Sequence, residues 1–324
     1  ALEDKEICST IFLDVAQAFD KVWHEGLIHK LNKLLPKQYT DLLNSYISDR
    51  LFRIKQEDEY SELKEITAGV PQGSVLGPIL YLLYTSDIPQ LEDIKIATFA
   101  DDTALLAVGS DINETTNKLQ RASNRIYRWM ESWKIKINEL KSAHINFTNK
   151  NIDPLPVRLQ ENIIPYVNNA KYLGMTLDVK LKWKEHIKKK RTELDLRYRQ
   201  LYWLLGRRSQ LSLHNKIRIY NQILKPVWIY GIQLWGCARD NQYRSIQTFQ
   251  NKVLRNMVNA PWYVRNRDLH RDLGIADVAS EIKRFATKHE VRLHQHINVE
   301  AIQLLNNENL TRRLKRKKPF ELVV

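Results

Sequence analysis

Asp14 closes an apolar run, Ile11-Phe12-Leu13, and a pair of carboxylates, Asp101 and Asp102, closes another, Ile96-Ala-Thr-Phe-Ala100. A carboxylate at the end of a buried strand is costly without a partner, so positive charge is expected beside each. If the two runs are neighbouring strands, the three carboxylates form one acidic cluster. Such a cluster suits two divalent metal ions about 3.5–4 Å apart, the arrangement that supports in-line phosphoryl transfer. Each signal alone also has a plain structural explanation: Asp101-Asp102 as turn residues and Asp14 as a helix cap. Their combination in a strongly basic chain favours chemistry on phosphates.

A glycine-rich segment, Gly69-Val-Pro-Gln-Gly-Ser74, lies between them, and Gly69, Gly73 and Gly77 are three of only ten glycines in the chain, so bare backbone is concentrated here. It does not match a Walker loop, because no Gly-Lys-Ser/Thr follows. It reads either as a strand-to-helix turn or as a surface that lets the Gln72 amide lie against a base pair or a sugar.

These residues sit in a chain of 324 residues, enough for two or three domains. The net charge of +14 and pI of about 9.6 point to a polyanion, with nucleic acid as the leading partner. No apolar run of roughly 18 residues occurs, so no membrane partner is expected. The two cysteines, Cys8 and Cys237, give neither a disulfide framework nor a cysteine zinc site, and an intracellular protein is expected. The start, Ala-Leu-Glu-Asp-Lys-Glu, has no initiator Met and suggests an excerpt of something longer.

The elements that must position the carboxylates follow from periodicity. A strand is expected over Ser9 to Asp14. A helical pattern through Phe19, Val22, Trp23, Leu27 and Leu31 should break near Gly26 and stop at Pro36. Tyr39 to Ile47 reads as a short helix, and 51–56 with 63–68 as a hairpin. Val75 to Tyr84, apolar nearly all round, reads as a buried helix with Pro78 in its first turn. Lys95 to Phe99 and Ala104 to Val108 read as strands joined at residues 100–103. A helix over Asp111 to Trp133 leads to a strand at His144 to Thr148. Together these make an antiparallel sheet with helices on one face. Short strand-like pieces follow Asn149, and from Trp183 the chain turns basic and helical, which marks a domain boundary.

Phe12-Leu-Asp-Val-Ala-Gln-Ala-Phe-Asp20, Ala68-Gly-Val-Pro-Gln-Gly-Ser-Val-Leu-Gly-Pro78 and Phe99-Ala-Asp-Asp-Thr103 resemble, in order, the first three palm motifs of reverse transcriptases. Asn138-Glu-Leu-Lys-Ser142 resembles the fourth, lysine-bearing motif, and Lys171-Tyr-Leu-Gly174 the primer-grip hairpin. With Leu204-Leu-Gly-Arg-Arg-Ser209, Tyr230-Gly-Ile-Gln-Leu-Trp-Gly236 and Ala260-Pro-Trp-Tyr-Val264, the chain resembles jockey-like non-LTR (LINE-type) retrotransposon reverse transcriptases over nearly its whole length.

The resemblance implies an α+β right-hand polymerase palm, an antiparallel sheet with helices packed on one face, followed by a mainly helical thumb, with the fingers largely absent. The domains would be a palm with primer grip at 1–182, a helical thumb at 183–260 and a basic helical region at 261–324. It further implies an RNA-directed DNA polymerase that joins a dNTP to a primer 3'-hydroxyl on an RNA template. Asp14 and Asp101 would bind two Mg2+ ions, or Mn2+ in their place, with Asp102 supporting them and Lys141 beside the leaving pyrophosphate. Phe19 would be the steric gate against a ribose 2'-hydroxyl, or simply core packing. Gln72 and Gly73 would contact the template–nucleotide pair, and Tyr172, Leu173 and Gly174 would form the primer grip. The implied partners are RNA template, DNA primer or target DNA and dNTPs, with an endonuclease upstream in the full-length protein. The implied location is the nucleus during integration, with a cytoplasmic ribonucleoprotein as the other.

Basic clusters at Lys188, Lys189, Lys190 and Arg191, at Arg207 and Arg208, and at Arg312 to Lys318 interleave with Trp183, Trp203, Tyr220 and Trp228. The aromatics read as core, and the cations either as a solvated face or as a grip on a nucleic-acid backbone. The last cluster reads equally as a nuclear-import signal. His24-Glu-Gly-Leu-Ile-His29 places its second histidine one position too late for a zinc-protease helix, and His289, His294 and His296 read as helix-surface residues. Only thirteen residues precede Asp14, so a catalytically incomplete, template-binding fragment is the alternative to an active polymerase. A two-metal nuclease ranks below both, since it gives Phe19, Gln72 and Lys141 no work.

Overall fold

The computed structural model describes residues 1–305 and 319–322, so the cluster Arg312 to Lys318 lies outside the described residues. The chain divides into two compact units, Ala1–Leu173 and Gly174–Val324.

The first unit is built on a four-stranded antiparallel sheet, β1 (Ile7–Leu13), β6 (Ile94–Phe99), β7 (Asp102–Gly109) and β8 (Ala143–Phe147), in the order β6-β7-β1-β8. Between β1 and β6 come α1 (His24–Leu34), α2 (Lys37–Ile47), the two-residue strands β2 (Leu51–Phe52), β3 (Lys55–Gln56), β4 (Glu59–Tyr60) and β5 (Lys64–Glu65), and α3 (Leu76–Tyr84). The long helix α4 (Ile112–Ser132) follows β7, then β8, β9 (Arg158–Leu159), β10 (Asn162–Ile163) and β11 (Asn169–Tyr172). Ile11 and Leu13 of β1 and Leu105 and Ala107 of β7 share a core with Leu119, Ala122, Ile126 and Met130 of α4. The periodicity of α4 and the sheet with its helices are thus as read from sequence. Asp111 caps α4, accepting from the amides of Asn113 and Glu114.

Three expectations fail here. Residues 16–21 form turns, and the helix starts only at His24. Gly26 lies inside α1 without breaking it, because a Cβ there would meet the Trp23 ring at 2.4 Å: the glycine admits the indole. Nor is α3 buried all round. Gly77, Leu80, Tyr81 and Tyr84 face the core, while Val75, Leu76, Ile79 and Leu82 are exposed, so uniform apolarity there marks one core face and one open face. Lys30 of α1 is buried against the rings of Trp133, Trp129 and Tyr84, donates to the Tyr84 carbonyl and pairs with Asp87. Burial lowers its pKa, and the Asp87 carboxylate opposes that shift.

The second unit contains β12 (Met175–Asp178) and the helices α5 (Lys184–Gln200), α6 (Tyr202–Leu205), α7 (Leu213–Ile219), α8 (Lys225–Ile229), α9 (Ile232–Trp235), α10 (Asp240–Met257), α11 (Asn266–Asp272), α12 (Val278–His294) and α13 (Val299–Ile302). Met175 and Trp183 belong to its core, so the division falls earlier than the sequence-based boundary at 183. No break occurs near 260 either: Val253 and Leu254 of α10 share that core with Ile275, Val278 and Ile282. Trp183, Tyr220 and Trp228 are core, as expected, whereas Trp203 is exposed. Cys8 and Cys237 both remain thiols, and no described helix is long and apolar enough to cross a membrane.

Each unit contains one fully buried histidine. Ser9 Oγ donates to Asn146, so His144 Nε2, 2.8 Å away, carries the proton and donates to Ser9, leaving Nδ1 bare in the core. His186 Nδ1 accepts from the Thr176 amide and so must stay unprotonated. Burial lowers both pKa values to about 4, helped at His186 by Lys190 and Lys189. The unfolded chain therefore binds more protons between pH 6.5 and 4, and stability is lost as pH falls through that window. We expect urea unfolding to show a loss of roughly 2 kcal/mol per histidine between pH 7.5 and 5. His144→Asn should remove its share of that slope; an unchanged slope would contradict the assignment.

Candidate active site

Asp14 is the first residue beyond the pair Leu13↔Thr103, so it stands across from Asp102, which opens β7. Strand alternation puts Phe12, Ala104 and Asp102 on the sheet face opposite Ile11, Leu13 and Leu105. The β6–β7 hairpin turns through Ala100 and Asp101, with Ala100 at φ 52°. That left-handed conformation costs a non-glycine residue roughly 1–2 kcal/mol. The sequence-predicted carboxylates thus gather at one end of the two central strands, and all three are half-buried.

The glycine loop is zipped to the segment after Asp14. Gly69 N–H donates to the Val22 carbonyl, Val70 N–H donates to the Phe19 carbonyl, and Trp23 bridges Ala68. Gly69 has φ 93°, and a Cβ there would lie 2.7 Å from the Asp20 carbonyl oxygen, so only glycine permits this approach. Gly73 has φ 80° with open space around it, so conformation alone selects glycine. One product of the zip is a hydrogen bond of 2.6 Å from the Gln72 amide to Asp20. Another is the stacking of Phe19 on Tyr81, with ring centroids 4.9 Å apart. Phe19 packs on the core yet stays half-buried, so one side of it is covered and the rest is open.

Lys141 is exposed on a loop fastened to Asp14 itself. Asp14 N–H donates to Ser142 Oγ at 3.1 Å, and the Asp14 carbonyl accepts from Asn138 N–H at 2.8 Å. Asn138 also accepts from the Lys141 amide through its side chain. Tyr172 stacks on Phe12 at 4.7 Å, and its pKa is raised by burial and then by the Asp102 charge. Leu173 and Gly174 follow with φ of 45° and 72°, the signature of a tight two-residue turn.

The family described as Reverse transcriptase (RNA-dependent DNA polymerase) matches residues 1–177. The chain belongs to the reverse transcriptase family. It is 42% identical over its full length to a protein described as the probable RNA-directed DNA polymerase from transposon X-element of Drosophila melanogaster, covering 36% of that relative. It is 38% identical, over 99% of the chain and 37% of the relative, to the RNA-directed DNA polymerase from mobile element jockey of the same fly. The chain thus spans about a third of the length of the curated relatives it matches. Among solved structures, telomerase from Candida tropicalis with a telomeric RNA fragment is similar at 15% identity and a TM-score of 0.41, over 94% of this chain and 49% of that one.

In this reverse transcriptase unit the acidic end is electrostatically uncompensated. Burial raises the Asp102 pKa first, then the Asp101 charge, then that of Asp14. Asp101 in turn acts with burial to raise the pKa of Tyr81. Among the described residues no lysine or arginine forms an ion pair with any of the three. Three hard oxygen donors with no counter-charge fit a magnesium ion chemically. No group of three or more His, Cys, Asp or Glu side chains is closed enough to hold a metal ion by itself among the described residues. Mg2+ takes one or two carboxylates and completes its shell with waters and substrate phosphates.

The basic residues of the second unit divide. Lys188 and Lys189 are exposed on α5, whereas Lys190 pairs with Glu193 and Arg191 pairs with Asp195 and donates to the Ser245 carbonyl. Arg191 also lies over the Phe249 ring, so its charge is engaged within the fold. Arg207 is exposed but anchored through Nε to Asn256, and Arg208 is exposed. Sequence reasoning passed over Asp20, Tyr81, Asn138 and Ser142. Asn and Ser side chains that bond nearby backbone are the available signal for the last two, while Asp20 and Tyr81 emerge only from tertiary contact.

The raised Asp102 pKa means that its ionised form costs stability at neutral pH, and that this cost disappears as pH falls. Without divalent ions, Asp102→Asn should therefore raise stability by roughly 0.5–1 kcal/mol, read as a higher melting temperature in EDTA. Adding Mg2+ should raise the melting temperature of the parent more than that of the variant. A variant less stable than the parent in EDTA would show that repulsion is not what the site stores.

Proposed function

We propose that this chain forms the palm and following region of an RNA-directed DNA polymerase of a non-LTR retrotransposon, which extends a primer 3'-hydroxyl with dNTPs on an RNA template. The observation that carries the reading is the convergence of Asp14, Asp101 and Asp102 at one end of the central strands, with the Asp101 charge felt at Tyr81, the ring on which Phe19 stacks. Asp14 and Asp101 would hold two Mg2+ ions, with Asp102 supporting them. Bound there, the metal supplies Lewis acidity that activates the 3'-hydroxyl and offsets charge on the departing pyrophosphate.

The chain's own groups do the rest. Phe19, backed by Tyr81, presents a ring that cannot yield to a 2'-hydroxyl, which favours deoxynucleotides. Gln72, turned by Asp20, offers its amide to the nascent pair, and Gly73 keeps the backbone bare beside it. Lys141, on a loop anchored to Asp14, places a cation or a proton donor near the pyrophosphate. Tyr172, Leu173 and Gly174 would hold the primer end against the sheet. Lys188, Lys189, Arg207 and Arg208 would add sequence-tolerant backbone contacts. An endonuclease in the longer protein and activity in the nucleus belong to the same reading.

Primer extension on an RNA template with dNTPs and Mg2+ tests it. The parent should extend the primer and Asp101→Ala should lower the rate by at least about 10³-fold, the scale of losing a principal electrostatic group. Phe19→Ala should admit ribonucleotides with little loss of dNTP use. Salt-sensitive RNA binding with no extension would instead support the template-binding fragment, and Mg2+-dependent cleavage without nucleotides would support a nuclease.

A further inference from the structure

A four-residue turn after α10 presents two large aromatic side chains to solvent. Trp262 is 90% exposed and Tyr263 68%. They occupy the middle of the turn that the Val264 amide closes onto the Pro261 carbonyl. Turn tips are ordinarily glycine, asparagine, aspartate, serine or proline, and exposed rings of this size forgo burial worth roughly 1.5–3 kcal/mol each.

The turn is rigidly built. α10 ends with Asn259 at φ 50°, its amide on the Asn256 carbonyl and the Ala260 amide on the Arg255 carbonyl, the bonding of a Schellman cap. Arg255 then spends its whole guanidinium on the loop: Nη1 donates to the Pro261 carbonyl, Nη2 to the Val264 carbonyl and Nε to Asn266. The buried Lys216 donates to the Met257 and Ser209 carbonyls and so ties the loop carrying Arg207 and Arg208 to the same helix end. Arg207 is bound to Asn256, the neighbour of Arg255.

The surroundings are cationic. Lys252, Arg265 and Arg267 are exposed and form no ion pair among the described residues, while the nearest acids in sequence, Asp268 and Asp272, are engaged by Arg271. Rigid exposed rings among free cations match a ligand with flat apolar faces and a polyanionic backbone. The two rings meet at an interplanar angle of 81°, so they cannot both continue one stack of bases. They suit a strand whose successive bases are turned apart, which excludes a duplex.

We propose that Trp262 and Tyr263 are a stacking platform for unpaired bases of single-stranded nucleic acid, with Arg265, Arg267 and Arg207 on its phosphates. The choice of ligand rests on the polymerase reading above, but the binding measurement does not depend on catalysis. Fluorescence anisotropy of the full chain with labelled oligouridylate, oligothymidylate and a blunt RNA duplex tests it. Trp262→Ala should weaken single-strand binding about tenfold, within the range of one base–aromatic stack, and Trp262→Phe should retain most of the affinity. Duplex affinity should not change. Arg265→Gln with Arg267→Gln should lower the slope of log affinity against log salt by about 1.5.

RNA and DNA arms of equal effect assign the platform to either strand, whereas an effect confined to one assigns it to that strand. Absent primer extension by the parent chain together with a Trp262-dependent affinity would sink the polymerase reading and leave the platform standing. Unchanged single-strand affinity in Trp262→Ala, or an effect of that variant only on self-association in sedimentation, overturns the platform.

Discussion

Mutual repulsion among Asp14, Asp101 and Asp102 is the constraint around which the first unit is organised. The chain must hold like charges together at the end of a sheet without a cation of its own. It does so with geometry that the charges cannot easily relax. β1 is paired on both edges, to β7 and β8, and Leu13 beside Asp14 is buried. Asp14 is further fixed from both sides of its backbone by Ser142 and Asn138. The repulsion is therefore stored in a rigid frame, and a cation bound there would release it.

The same frame explains why the glycine loop and the turns after Asp14 belong together. The bonds from Gly69 to Val22 and from Val70 to Phe19 join two segments that carry no regular helix or strand of their own. Backbone groups left unpaired in a half-buried position would be costly, and pairing them sets Phe19, Asp20 and Gln72 on one rim. A side chain at Gly69 would push these segments apart, with effects reaching both the ring stack and the amide contact. The rim is thus one cooperative structure, although its residues lie some fifty positions apart, as the Gln72–Asp20 bond does at a separation of 52.

Much of this was legible in the sequence, for reasons that differ by element. The β6–β7 hairpin and α4 follow from alternation and helical periodicity plus a strong cap at Asp111, all local signals. The ordered motifs singled out Asp14, Gln72, Asp101 and Lys141 by residue type and spacing, and the fold brings Asp14 and Asp101 to one end of the central strands. What failed was decided by tertiary contact. The apolar spacing of Phe19, Val22 and Trp23 reads as helical, but those side chains are drawn into a core by a loop pairing that periodicity does not encode. Gly26 read as a breaker and proved to be the seat of an indole. The run Lys188 to Arg191 read as one patch, yet its register on α5 sends Arg191 inward to Asp195 and Phe249 and leaves Lys188 outside.

The surface beside the site adds a further physical consequence. Phe99, Val75 and Leu140 are 65%, 84% and 85% exposed, and each is close in sequence to a site residue: Asp101, Gly73 and Lys141 respectively. Ordinary surface positions near carboxylates are polar, so large apolar groups here cost hydration free energy unless something covers them. Covering these groups would exclude water from the surface around them. Excluding water lowers the local dielectric, and a lower dielectric strengthens every charge interaction at the carboxylates. A cover over these apolar groups that also reached the carboxylates would therefore set how strongly their charges are felt.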